Sequence, residues 1–145
     1  MDHSIGRTIY DASVGIYVAP GHHLPPYATA TGKLLIALQD RDTIERHLDM
    51  PRVAVTARTI TSRRGLLAEF KRIRDNDFSI EHGEHVEGLG TIACPIRTSG
   101  DGPVVYALGV TGSKERMIRA EAALVPVLRQ AASSLGSILT TKGRG

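Results

Sequence analysis

The sequence predicts one α+β domain, built on a mainly antiparallel sheet covered by helices. Three observations point there. Runs rich in β-branched and aromatic residues recur at Val14–Val18, Phe78–Ile80, Thr91–Arg97 and Val104–Thr111. Segments with helical spacing of apolar residues fill the gap between the first and second of these runs. The last three strand segments follow one another through polar connections, a meander rather than alternating strand–helix units. The chain has 145 residues, 41% hydrophobic and 23% charged, the size and balance of a single compact domain. That balance excludes wholesale disorder and collagen-like structure. No internal repeat, linker or low-complexity segment interrupts it.

The elements follow in order. Val14–Val18 reads as a strand, ended by Pro20-Gly21 and a loop at His22-His23-Leu24-Pro25-Pro26. A helix is expected from Ala28 to Leu38, with apolar residues at 30, 34, 35 and 38. Gly32 inside it points to close packing or close approach of a ligand. A short helix over Arg41–Leu48 places Asp42 and Glu45 at capping-box spacing. The next helix starts at Thr61 or Ser62, with Leu66, Leu67, Phe70 and Ile73 as its apolar stripe. Asn76-Asp77 reads as a turn. Pro95 suggests an edge position or a bulge in its strand. Ser99–Pro103 is a hairpin loop. The last helix runs to about Leu139, with Leu124, Val127, Leu128, Ala131, Leu135 and Ile138 on its core face. Pro126 should mark its start or a kink.

The net charge is +3, unevenly placed. Arg52–Arg74 holds seven basic residues against one acid, and Asp75–Glu87 holds five acids with no Lys or Arg. Such neighbours read as a solvated helix face followed by a polar hairpin, with pairing worth little at the surface. A single-strand nucleic-acid patch would need stacking aromatics, and the basic stretch has only Phe70. The lone Cys94 makes no intrachain disulfide, and the start Met1-Asp2-His3-Ser4 lacks the basic and apolar regions of a signal peptide. Uninterrupted apolar runs fall far short of a membrane span. These features fit a cytoplasmic chain without a membrane partner.

Catalytic motifs test poorly. Lys33 follows Gly32, but a phosphate loop would need glycine at Tyr27 and Ser or Thr at Leu34. Gly88-Leu89-Gly90 matches a dinucleotide pattern in letters only, since Pro95 opposes the required helix. Among the six histidines, His82 and His85 beside Glu84 form the one weak metal alternative, and with it a metal-dependent hydrolase. Alternating side chains would send the two histidines to opposite faces. Cys94 in an apolar strand reads as a small core residue. No catalytic residue, cofactor or metal is assigned. Thr29, Thr31, Thr91, Gly109 and Thr111, with Ile16, Leu34 and Leu89, are the composition of an apolar small-molecule pocket carrying a few hydrogen-bond donors. The same threonines also fit ordinary strand residues and helix caps.

The motifs also resemble a known family. Leu24-Pro25-Pro26-Tyr27-Ala28-Thr29-Ala30-Thr31-Gly32-Lys33-Leu34-Leu35-Ile36-Ala37 is similar to the "LP-x-H-A-T-A-x-G-K-A-x-L-A" signature of the IclR family of bacterial transcriptional regulators. Arg58-Thr59-Ile60-Thr61 with the helix after it, Glu84–Ile96, and Val105–Gly112 resemble three further motifs of that family, in the same order. The resemblance runs from about Gly15 to Ile138. It implies the C-terminal effector-binding domain, with a GAF-like or profilin-like antiparallel sheet flanked by helices and a long C-terminal helix. It implies a non-enzymatic sensor of a small metabolite, such as an organic acid, that pairs into dimers or tetramers and so controls DNA binding. It places effector contacts at Ala30, Thr31, Glu81, Leu89, Thr91, Gly109 and Thr111.

This chain departs from the pattern at Tyr27 (for His), at Gly109 (for Ser), at Thr31 (for a smaller residue) and at Glu81 (a longer acid). A carboxylate ligand facing Glu81 would need that acid protonated, turned away or paired. No helix-turn-helix pattern precedes the motifs, so residues 1–145 are expected to form the effector domain alone, short at its N-terminus. An interaction or oligomerisation module with a vestigial pocket is the alternative.

Overall fold

A computed structural model of the chain describes residues 24–98, 100 and 102–142. The expected strand Val14–Val18 and the candidate Ile16 lie outside the described residues. The rest is three layers: three helices, a three-stranded antiparallel sheet in the order β1-β2-β3, and one long helix.

A single 3-10 turn, Pro26–Ala28, leads into α1 (Ala30–Ala37). Thr29 caps it, its hydroxyl accepting from the Gly32 N–H at 3.1 Å. Gly32 serves close packing: a Cβ there would stand 2.5 Å from Pro26 Cα. The α2 helix (Arg41–Asp49) starts where expected, but its cap stands two residues before the Asp42 of the capping-box spacing. Asp40 is the cap, accepting from the Thr43 N–H at 2.7 Å. The α3 helix (Arg63–Asn76) starts after the Ser62 cap and ends at Asp77, which adopts left-handed φ and ψ of 60° and 32°. Leu66, Phe70 and Ile73 are buried, whereas Leu67 is 38% exposed and leaves the expected stripe.

The strands are β1 (Ser79–His82), β2 (Leu89–Ile96) and β3 (Tyr106–Ser113). β2 is central, which corrects the edge expected from Pro95. The proline is tolerated because β1 pairs no further along β2 than Ser79↔Ala93. Among the described residues, no strand on that side needs the missing N–H. Side chains alternate across the sheet. Ala93 packs with α1 and α3 in one core cluster, and Ile92, Cys94 and Ile96 pack on the other face. Cys94 is free and buried, and burial raises its thiol pKa, so it is an inert core residue.

The last helix, α4 (Lys114–Lys142), begins well before Pro126 and continues through it, which corrects the expected start. Its buried row is Met117, Val125, Leu128 and Ala132, flanked by Leu124, Leu135 and Leu139. Val127 and Ile138, placed on the core face by sequence, are 62% and 53% exposed. By length and composition α4 could cross a membrane, a possibility that counting uninterrupted runs overlooked. Its buried row instead packs on this domain's sheet, the position of a core helix.

Candidate ligand site

The face of the sheet beneath α1 gathers the residues singled out from sequence. The register sets Glu81 opposite Thr91 and Thr91 opposite Thr111, one row across all three strands. The Thr91 and Thr111 hydroxyls lie 2.8 Å apart. One proton serves that bond, which leaves one hydroxyl hydrogen for a ligand acceptor. Two residues further along β3, Gly109 faces Thr31 at the start of α1. Thr31 and Thr91 are half-buried, and Gly109 and Thr111 are exposed. Leu89 stands on the same face of β2, half-buried. Ala30 and Leu34 are sealed in the core with Phe70 and Ala93, so they shape the site from behind.

Two of the departures from the family pattern compensate one another. A Cβ at position 109 would come 3.2 Å from Thr31 Cγ2 and 3.5 Å from Thr91 Cγ2. The larger Thr31 thus occupies room that the missing side chain at Gly109 vacates. Gly109→Ser alone should therefore cost about 1 kcal/mol by crowding. Adding Thr31→Ala should recover part of that loss, a coupling read from the urea midpoints of a double-mutant cycle. Strictly additive losses would mean the two sites do not share space.

Glu81 is 4% exposed. Its Oε1 accepts from the backbone N–H groups of Glu84 and His85, the latter at 3.3 Å. The carboxylate is committed to the β1–β2 turn. Burial raises its pKa first, and the neighbouring Glu84 adds to this, while the two N–H groups and Lys33 oppose it. A carboxyl with a raised folded pKa holds its proton more tightly in the folded state. Its contribution to stability then falls as pH rises from about 4.5, the ordinary value, through the higher folded value. Glu81→Gln should therefore be more stable than the parent at neutral pH. That gain should vanish below the window, as followed by denaturation from acid to neutral pH. The amide oxygen can still accept both N–H groups.

Sequence reasoning missed the charge cluster behind this site. Lys33 is fully buried. Its ammonium donates to Glu84 Oε1 and Oε2 at 2.8 and 2.9 Å, to Glu69 Oε1 at 3.2 Å and to the Ile80 carbonyl at 3.4 Å. Arg72 completes the chain by pairing with Glu69 at 2.5 Å. The Glu84 carboxyl is pushed up by burial and pulled back by Lys33. The turn that carries Glu84 is fastened from outside. Thr56 Oγ1 donates to the Gly83 carbonyl at 2.6 Å, and Thr59 Oγ1 to that of Glu84 at 2.7 Å. The available signal was a lysine within a short helix whose other residues are small or apolar. Such a helix is covered on all sides, and a covered lysine must be paired. The acidic stretch is thus solvated only in part: Asp75 and Glu87 are exposed, whereas Glu81 and Glu84 face inward.

Among the described residues, no three His, Cys, Asp or Glu side chains gather as metal ligands. His82 closes β1, and His85 belongs to the turn after it.

Comparison with known proteins identifies the fold and the family. A family model described as bacterial transcriptional regulator IclR C-terminal matches residues 5–137. The match begins ahead of Gly15, where the motif resemblance starts. The chain is 37% identical over 82 residues to the HTH-type transcriptional regulator KdgR of Escherichia coli (strain K12), covering 56% of this chain and 31% of that protein. A transcriptional regulator from Rhodococcus sp. RHA1 superposes with a TM-score of 0.81 at 29% identity, covering 87% of this chain and 52% of that one. The inducer binding domain of the PobR transcription factor from Acinetobacter, a double mutant in complex with 3-hydroxybenzoic acid, superposes with a TM-score of 0.74 at 27% identity, covering 89% of this chain and 78% of that one. The chain therefore spans about a third of KdgR and about half of the Rhodococcus regulator. The matched proteins are transcriptional regulators, not enzymes. The chain belongs to the IclR family of bacterial transcriptional regulators and corresponds to their C-terminal domain.

Proposed function

We propose that this domain senses a small organic acid at the face formed by Thr31, Thr91, Gly109 and Thr111. The carrying observation is that these residues, scattered over three elements, converge around a hydroxyl pair with one donor to spare. Glu81 is turned into its own loop, so an acid at the threonines meets less repulsion than a carboxylate aimed at the site would impose. The neighbouring structure with 3-hydroxybenzoic acid supports an aromatic carboxylate as one ligand class. Ligand binding would shift the population among dimer and tetramer arrangements, by no more than its differential affinity for them. DNA contact would then be governed in a domain outside these residues, in the cytoplasm.

Thermal-shift and calorimetric titration against small aliphatic and aromatic acids, 3-hydroxybenzoate among them, tests the reading. A ligand at a hundredfold excess over Kd adds about 2.7 kcal/mol to stability. Thr111→Leu should abolish that gain without altering the oligomeric state. If no acid raises the melting point and calorimetry is also blank, the sensor reading fails, and an oligomerisation module with a vestigial pocket takes its place.

A further inference from the structure

A cavity of about 350 Å³ lies beside β1, lined from α3 by Arg72 and Asn76 and from α4 by Glu121, and shares no lining residue with the threonine face. Ser79 and Glu81 point toward α1, whereas Ile80 and His82 line this cavity together with residues of α3 and α4. We propose that it is a second small-molecule site, for a zwitterion of the amino-acid class.

The charges on its walls carry the proposal. Arg58, Arg72, Glu84 and Glu121 all line it. Two of them are already engaged: Glu84 is held on both oxygens by Lys33, and Arg72 by Glu69. Arg58 and Glu121 make no ion pair among the described residues. One cation and one carboxylate are thus left facing the same space. His82 adds a buried Nε2 with no hydrogen-bond partner, a group whose desolvation is uncompensated until something donates to it or accepts from it. Ile60, Phe78 and Ile80 supply an apolar wall. A simple anion would answer Arg58 but leave the Glu121 carboxylate uncompensated, and a simple cation would answer Glu121 but leave the Arg58 guanidinium uncompensated. A molecule with both charges and a short apolar body satisfies Arg58, Glu121 and the wall together. The volume lies within the range of small-ligand pockets.

Titration calorimetry of the 145-residue chain with L-leucine, and with two analogues that each lack one charge, 4-methylpentanoate and isoamylamine, tests this. The wider set of common amino acids follows as a panel. Leucine or another member should bind, and the analogue lacking either charge should bind about tenfold more weakly or worse. Arg58→Ala should erase the advantage over the amine, and Glu121→Gln the advantage over the acid. Both side chains sit at or near the surface, so the fold should survive, as the melting curve checks. Thr31→Leu, at the threonine face, should leave this binding unchanged. The proposal is overturned if no amino acid binds at millimolar concentration, if the analogues bind as well as the parent compound, or if Thr31→Leu removes the binding. The last result would place the amino acid at the threonine face and leave the sensor reading standing.

Discussion

Lys33→Met should destabilise the chain by about 3–5 kcal/mol, the usual penalty for removing one member of a buried ion pair. Methionine fills nearly the same volume, so a cavity does not account for the loss. The loss comes from Glu84 and Glu69, each 8% exposed, which keep their desolvation cost and lose the cation that offsets it. Arg72 still holds Glu69, so Glu84 suffers most. Its carboxyl is already pushed up by burial, with Lys33 the main opposing influence. In the variant it should rise further and protonate. The deficit should therefore shrink as pH falls, because a neutral Glu84 no longer needs the ammonium. Urea unfolding of parent and variant between acid and neutral pH reads both effects. A loss that does not change with pH would mean that Lys33 acts by packing alone. Lys33→Met combined with Glu84→Gln should recover part of the stability.

Gly136→Ala should cost about 1–3 kcal/mol, against the gain that alanine ordinarily brings within a helix. Gly136 is buried in α4, where the helix crosses the end of β2. A Cβ there would overlap the Arg97 carbonyl, which is backbone and has no rotamer to yield. Either α4 or the end of β2 must move. The helix axis is fixed by Met117, Val125, Leu128 and Ala132 on the same face, so the strain spreads into the core. A lower melting temperature with retained helical circular dichroism is expected. An unchanged or raised melting temperature would show that the helix slides freely over the sheet.

Local signals in the sequence located most elements to within a few residues. Thr29 and Ser62 are side chains that can cap, each followed by helical spacing, and the helices start there. The strands after Asn76 came from β-branched alternation. The misreadings share one cause. For α4, apolar residues lie on more than one face, and periodicity does not reveal which face meets a sheet; Leu128 went in and Val127 stayed out. For β2, proline argued for an edge because local reasoning does not know where a neighbouring strand stops.

Sequence by itself determined the α+β order of elements, the family motifs, and the set of residues that the structure brings around the threonine face. Those depend on short-range capping, on alternation, and on residue types at given spacings. Tertiary structure decided that Thr91 and Thr111 share a hydrogen bond, that Thr31 fills space beside Gly109, and that Lys33, Glu69 and Glu84 are a buried cluster rather than surface charge. Each is a contact between residues 20 or more positions apart. Its energy depends on burial and on partners supplied by other elements, and neither is written in any local stretch of chain.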